Sequence, residues 1–267
     1  MALTRTPRCV ITGAGSGFGR AMAIELAGRH AHLVLSDIDL SALEATVDAT
    51  RAAGASSARG LRCDVTRLDE VEHLARESPG DLDLVVNNAG VASAGRIGEL
   101  PLDVWRWTLE ADLFGVIHGC HVFVPRMRER GRGHVLNVAS AAGILSMPGM
   151  GAYNVAKAGV IALSETLDGE LRGTGVGVTV LCPSFFRTNI AKNGRFTDPW
   201  SRAEAERLVS HGKPVEDIAR AALAAVERGE FYAIPMADAR WLWRLKRLAP
   251  NPFRAIVARQ AGRRRKG

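Results

Sequence analysis

Cysteine is scarce in this chain and does not cluster. Cys9, Cys63, Cys120 and Cys182 stand far apart among 267 residues, with neither a C-x-x-C pair nor zinc-ligand spacing. That excludes a disulfide framework and predicts a reduced, cytoplasmic chain without a metal site. Long apolar runs are missing as well: none approaches the roughly 18 to 20 residues that span a bilayer, so no membrane-spanning helix is expected. A secretory leader is not expected either, because a strand-like segment, Arg8 to Thr12, begins almost at once. Aromatic residues make up only 6%, yet 47% of the chain is hydrophobic and 24% charged. This ordinary balance excludes disordered, collagen-like and coiled-coil classes, and the length suffices for a substantial core.

Acidic residues are absent from one region. The chain carries 35 basic and 28 acidic side chains, but Arg240 to Gly267 holds ten of the basic ones and no acid. The rest is mildly acidic, with 25 basic against 28 acidic residues. Any electrostatic partner should therefore meet the C-terminus, not the whole surface. No nucleic-acid recognition motif accompanies the terminal charges, so no nucleic-acid partner is expected.

Short apolar, β-branched runs alternate with longer helical segments. Arg8 to Thr12, His32 to Ser36, Ala58 to Cys63, Leu82 to Asn87, Gly133 to Val138, Val176 to Cys182 and Phe231 to Ile234 read as strands. Asp39 can cap the helix ending at Gly54, and Thr66 with Asp69 three residues on can start the next. Strict alternation of this kind implies an α/β fold, a doubly wound parallel sheet of about seven strands with helices on both faces. No repeat or low-complexity linker interrupts it, so residues 1–234 read as one domain and 235–267 as a C-terminal extension.

After the first strand comes Thr12-Gly13-Ala14-Gly15-Ser16-Gly17-Phe18-Gly19, followed by an apolar helical pattern. Glycines there permit a tight turn, let the backbone approach a pyrophosphate and leave helix N-terminal amides free to bind it. Asp37 closes the second strand. A carboxylate at that place can accept hydrogen bonds from both adenosine ribose hydroxyls and would repel a 2′-phosphate, so NAD is favoured over NADP; alternatively, Asp37 merely starts the next helix.

The spacing Thr12-Gly13-x-x-x-Gly17-x-Gly19, then Asn87-Asn88-Ala89-Gly90, then Ser140, then Tyr153-x-x-x-Lys157 resembles the short-chain dehydrogenase/reductase family, over Pro7 to about Ile234. The resemblance implies a Rossmann-like NAD(P)-binding domain. It implies that Asp64 and Val65 border the adenine, that Asn88, Ala89 and Gly90 support the cofactor at the fourth strand, and that Phe186 and Thr188 approach the nicotinamide end. Ser16 stands where NADP-using relatives often carry Arg or Lys, in agreement with Asp37. A homodimer is implied through the helices bearing Asp112 and Tyr153.

Hydride transfer between a secondary alcohol and a nicotinamide needs a group that takes or supplies the hydroxyl proton. Free tyrosine, with a pKa of about 10, is a poor base at neutral pH. Lys157 lies one helical turn beyond Tyr153, and a nearby positive charge favours phenolate. Tyr153 is thus the expected general acid/base, Lys157 the group that lowers its pKa and holds the nicotinamide ribose, and Ser140 the donor that orients the reacting oxygen. Two positions depart from the family. Ser184 replaces the usual glycine after a proline, and Asp112 stands where most relatives have the asparagine of a proton relay. Ionised Asp112 accepts only, and near Lys157 it could either pair with the lysine and blunt its effect or, protonated, serve as a relay.

Three segments qualify as the substrate side: Val91 to Arg96, Ala141 to Met150 and a lid over about 185–211. Val91, Ile144, Leu145, Met147, Met150, Phe185, Phe186, Ile190 and Trp200 are the candidate lining, mostly apolar, which favours a lipophilic alcohol or ketone. Asn193-Gly194 and Asp198-Pro199 suggest turns flanking short helices in the lid. In the extension, Trp241, Leu242, Leu245 and Leu248 would share one helix face and Arg240, Arg244 and Arg247 another. Such a basic amphipathic helix fits peripheral contact with the inner face of a membrane, with Pro250 and Pro252 breaking it before a second basic segment; equally, its apolar face could cover the lid or a partner subunit. The leading expectation is an NAD-dependent oxidoreductase of an apolar secondary alcohol or ketone. The competing readings are a catalytically weak NAD(H)-binding sensor and a reductase of carrier-bound 3-oxoacyl chains.

Overall fold

Apolar runs too short for helices become strands, and those buried on both faces are apolar almost throughout. In the computed structural model, which describes residues 3–263, the chain runs β1 (Arg8–Thr12), α1 (Gly17–Ala27), β2 (His32–Asp37), α2 (Leu40–Ala52), β3 (Ser57–Arg62), α3 (Leu68–Arg76), β4 (Leu84–Asn87), β5 (Ser93–Ala94) and α4 (Leu102–Leu109). A π-helical turn, Glu110–Phe114, leads into α5 (Gly115–Arg130), β6 (Gly133–Val138), α6 (Ala141–Leu145), α7 (Gly151–Glu170), β7 (Val176–Leu181), β8 (Arg195–Phe196), α8 (Pro199–Ser210), α9 (Val215–Arg228), β9 (Tyr232–Ala233), α10 (Ala237–Leu248) and α11 (Pro250–Arg263). The main sheet has seven parallel strands in the order β3-β2-β1-β4-β6-β7-β9. β4 and β6 are buried at every position. One helical layer joins α1 to α2 and α9, the other α3 to α5 and α5 to α7. The strand order reverses between β1 and β4, and the crevice beyond their C-terminal ends is where such sheets bind ligands.

One local expectation fails for a physical reason, and one pairing is added that no sequence pattern announced. Thr66 does not cap α3: its amide and hydroxyl both donate to Asp64 Oδ1, at 3.0 and 2.7 Å, and Arg67 occupies the cap position. The carboxylate two residues earlier captured the group that would have capped the helix. In the lid, β8 pairs in parallel with β5, Ser93 opposite Arg195 and Ala94 opposite Phe196. Neither two-residue strand has enough periodicity to be read from sequence. Asp39 does cap α2, accepting from the Ala42 amide at 3.1 Å, and Asp198 caps α8, accepting from the Ser201 amide at 2.8 Å.

The extension is also revised. On α10, Leu242, Trp243 and Leu245 pack against the core and Ala239 is buried within it, whereas Trp241 and Leu248 are 60% and 86% exposed. The expected apolar face is therefore split, because the helix turns Trp243 inward onto Tyr232, ring centroids 5.0 Å apart. Pro250 ends α10 and opens α11, as proline at a first helical position does. In the second basic segment, Arg264, Arg265 and Lys266 lie outside the described residues, as do the side chains of Arg259 and Arg263.

Candidate active site

The glycine turn runs from β1 into α1 with Gly13 and Gly17 at φ 64° and 52°, where side chains are strained. A Cβ at Gly13 would lie 2.6 Å from Ala89 Cα, and one at Gly19 would overlap the Gly13 carbonyl oxygen. Ser16 occupies the α1 cap position without a side-chain cap bond, so the first amides of the helix face the turn without a side-chain acceptor. Thr12 and Asn88 hold the turn on β4. The Thr12 hydroxyl accepts from the Asn88 and Ala89 amides at 3.0 and 3.2 Å, and Asn88 Nδ2 donates to the Thr12 and Gly13 carbonyls at 2.8 and 2.9 Å. Thr12 is a member of the site that sequence reasoning left as a mere flank of the motif. Its signal was the hydroxyl directly before the glycines.

Asp37 closes the far end of the cleft. Its Oδ2 accepts from the Gly15 amide at 2.8 Å and its Oδ1 from the Asp39 amide at 3.0 Å; Asp39, not Asp37, caps the helix that follows. Asp64 and Val65 follow β3, Asp64 taking Glu70 as acceptor for its amide at 2.9 Å and Val65 being buried. From the lid side, Thr188 comes over the turn, since a Cβ at Gly17 would lie 2.6 Å from its Oγ1. Phe186 meets Phe18 edge to face with centroids 6.4 Å apart.

Ser140, Tyr153, Lys157 and Asp112 converge at the C-terminal ends of β4 and β6. Ser140 caps α6, its Oγ accepting from the Ala142 amide at 3.1 Å and donating to the Pro183 carbonyl at 3.5 Å. Its hydroxyl lies near enough to the Tyr153 phenol to favour the ionised form. Lys157 is buried one turn along α7; its Nζ donates to the Val138 carbonyl at 3.1 Å and lies 5.7 Å from the Tyr153 ring centroid. The π-helical turn delivers Asp112, fully buried, so that its Oδ1 accepts from the Val91 amide at 2.7 Å and sits 3.7 Å from Lys157 Nζ. Its Oδ2 is buried with no hydrogen-bond partner. π-Helical turns of this kind often mark functional sites.

The electrostatics differ from expectation. Burial pushes the Asp112 carboxyl up to about 6, opposed by Lys157 and the Val91 amide. Burial likewise holds the Tyr153 phenol well above its ordinary range, the Asp112 charge adds to this, and the Ser140 hydroxyl opposes it. In the chain alone, burial and the Asp112 charge outweigh what opposes them, and the phenol pKa is not brought toward neutral pH.

Of the nine candidate lining residues, Ile144 and Leu145 belong to the buried core, where α6 presses them inward. Met147 and Phe186 pack against that core half-buried, and Phe185 and Trp200 are 43% and 55% exposed. A cavity of about 880 Å³ opens beside Gly17 between α1, the 187–192 segment, α8 and α9, lined by Arg20, Arg187, Thr188, Lys192 and Glu206 among others. Its lining is mixed, with Ala21, Ile24, Ala191, Val209 and Val215 beside those polar groups, and it contains none of the nine. Among the described residues no group of three His, Cys, Asp or Glu side chains is placed to hold a metal ion, and no helix is long and apolar enough to cross a membrane.

Comparison with known proteins bears on this arrangement. Residues 8–198 match the family model described as short chain dehydrogenase. The chain is 32% identical over 246 residues to a CLA biosynthesis dehydrogenase/reductase of Lactiplantibacillus plantarum, covering 84% of this chain and 86% of that one. A short-chain dehydrogenase/reductase from Burkholderia phymatum, solved in complex with NAD, superposes with a TM-score of 0.86 at 38% identity, over 91% and 93% of the two chains. Another from Sphingobium yanoikuyae, in complex with NADPH, gives 0.77 at 27% identity over 98% and 96%. With the glycine turn, the seven-stranded sheet and the Ser140–Tyr153–Lys157 cluster in place, the chain belongs to the short-chain dehydrogenase/reductase family, nicotinamide-dependent oxidoreductases acting on CH–OH groups.

Proposed function

We propose that the protein transfers hydride between NAD and an apolar secondary alcohol or the corresponding ketone, with Tyr153 as general acid/base. The convergence of Ser140, Tyr153 and Lys157 beside the glycine turn carries this reading. The residues present fit a dinucleotide: the α1 amides, uncapped by Ser16, suit a pyrophosphate, and Asp37 suits two ribose hydroxyls. Asp64 and Val65 would border the adenine, Asn88 to Gly90 support the turn, and Phe186 and Thr188 would meet the nicotinamide end. When bound, the nicotinamide supplies or accepts the hydride and, oxidised, adds a positive charge that favours phenolate.

Tyr153 holds the proton that leaves or joins the substrate oxygen. Ser140, fixed as a helix cap, points its hydroxyl at that oxygen and orients it. Lys157 keeps its ammonium near the phenol and would hold the ribose. Asp112, short of one hydrogen-bond partner and neutral in part near pH 6, is suited to pass a proton through Lys157. The apolar residues Val91, Met147, Met150, Phe185, Phe186 and Ile190 support a lipophilic substrate. Asp37 supports NAD over NADP and with it weighs against reduction of carrier-bound 3-oxoacyl chains.

We read 1–234 as the NAD(P)-binding domain, with 185–211 as its lid and the extension from 235 docked on it. A homodimer is supported by Phe114 and Val155, exposed at 48% and 51% on the helices flanking Asp112 and Tyr153. A cytoplasmic setting is supported by four buried, unpaired thiols. The deciding experiment follows nicotinamide absorbance with a panel of lipophilic secondary alcohols, NAD and NADP in parallel, and Tyr153→Phe as control. Turnover with NAD that vanishes in the variant is the expected result. NADH binding without turnover across the panel would instead favour the sensor reading, to which the Asp112–Lys157 pair lends its one support.

A further inference from the structure

The extension packs against the short helix that Ser140 opens, and Lys246 ends on the far end of that helix. α6 has only five residues, and its C-terminal carbonyls lack helical partners. Lys246 on α10 fills that gap: its Nζ donates to the Ile144 carbonyl at 2.5 Å and to Ser146 Oγ at 3.3 Å. Ser146 closes α6 in the left-handed region, φ 56°. The ammonium lies 6.0 Å from the ring centroid of buried Phe253 on α11, so both helices of the extension fix it. A cation at a helix C-terminus is favoured by the helix dipole, the more so when partly buried.

α6 has little freedom left. Its N-terminus is Ser140, and a Cβ at Gly143 would lie 2.5 Å from the Lys157 carbonyl carbon, so the helix lies directly on the α7 backbone at the catalytic lysine. A rod of one and a half turns, pinned at one end by Lys246 and in the middle by α7, sets the direction of the serine hydroxyl at its other end. The following residue, Met147, is held in turn by Asn154 Nδ2, which donates to its carbonyl at 2.7 Å.

We propose that Lys246 is a positioning residue for the reaction: through α6 it fixes the Ser140 hydroxyl against Tyr153 and sets the lip of the substrate pocket. The inference rests on the assignment of Ser140 and Tyr153 above. Its test begins with a readout independent of turnover. The chain has two tyrosines, Tyr153 and Tyr232. Tyr232 hydrogen-bonds Glu165 and its ring meets that of Trp243 at a tilt, so it reports whether α10 stays docked.

In full-length protein labelled with ¹³C at the tyrosine Cζ, assigned with Tyr153→Phe, Lys246→Met should move the Tyr153 resonance and leave that of Tyr232 in place, and Lys246→Arg should restore the wild-type spectrum. With the alcohol panel, the same Met variant should lose kcat by roughly tenfold to a hundredfold, the range for misplaced reacting groups, with its NADH dissociation constant unchanged. An unmoved Tyr153 resonance, or both resonances moving together as the helix undocks, overturns the proposal. Should Lys246→Met not fold, Ser146→Gly, which suits the left-handed backbone and removes one of the two acceptors, decides alone: a Tyr153 shift with Tyr232 unmoved supports the proposal, and no shift overturns it. Wild-type protein silent toward every alcohol but responsive in the resonance would refute the substrate reading and leave the positioning role standing.

Discussion

Asp112 concentrates the chemistry of a single buried carboxylate. Its pKa, raised to about 6 in the folded chain against about 3.9 for a free aspartate, means that folding favours the neutral form. The contribution to stability is complete below the unfolded value and is lost as pH rises through 6. Asp112→Asn should therefore stabilise the fold at pH 8, by on the order of 2 to 3 kcal/mol for a rise from about 3.9 to about 6 that already includes the Lys157 pairing, seen as a higher thermal midpoint, and the difference should vanish toward pH 4. Thermal melts across that range check it; an equal effect at both pH values would show that the carboxylate is not the titrating group. Because the Asp112 charge also raises Tyr153, the same variant should move the basic limb of alcohol oxidation to lower pH. An unchanged pH profile would take Asp112 out of the proton path. Tyr153→Phe should cost roughly 10²- to 10⁴-fold in kcat with NADH binding retained, measured by cofactor fluorescence. What the sequence conveyed at this scale was residue type and spacing: an aspartate at 112 and a lysine one turn from a tyrosine. It did not convey that Asp112 Oδ2 lacks a partner or that Lys157 donates to Val138, because both depend on packing between elements distant in the chain.

Among elements, legibility followed length and periodicity. The longer strands of the main sheet other than β3, whose sequence SARGLR is mostly polar, announced themselves as apolar runs, and the cap at Asp39 and the turn at Asp198 as short polar side chains before helices. β5 and β8 did not, since two residues have no period and their pairing is decided by where the lid lands. That landing is reinforced by Arg195, whose guanidinium lies 4.2 Å from the Trp107 ring centroid on α4. Arg195→Ala should loosen the lid by about 0.5–1 kcal/mol, seen as faster limited proteolysis within 185–211 and a higher KM for substrate at unchanged cofactor affinity. Gly19→Ala, by contrast, should abolish cofactor binding, because the added methyl collides with the Gly13 carbonyl; isothermal titration with NADH reads this directly.

For the whole molecule, the tail shows where a helical wheel misleads. Periodicity put Trp241 and Leu248 with Leu242 and Leu245, yet tertiary contact selected Trp243 in their place. The outward surface of α10 now holds Trp241 and Leu248 beside Arg240, Arg244 and Arg247, all exposed. An interfacial tryptophan among arginines suits an anionic bilayer. We expect sedimentation with vesicles of anionic phospholipid at low salt, lost at 0.5 M salt and in Trp241→Ala/Leu248→Ala; no binding to such vesicles at low salt would remove the membrane from the list of partners. The α10 interior, in contrast, is committed to the protein's own core.

The β5–β8 ribbon joins segments separated in the chain by everything from α4 to β7. Pairing of that kind must wait for the intervening chain to close into a loop, whose entropy cost is met only once the sheet exists. The expected order of folding is therefore the neighbouring βαβ units first and the β5–β8 enclosure last, which pulse-labelled hydrogen exchange during refolding would read as late protection at Ser93–Ala94 and Arg195–Phe196.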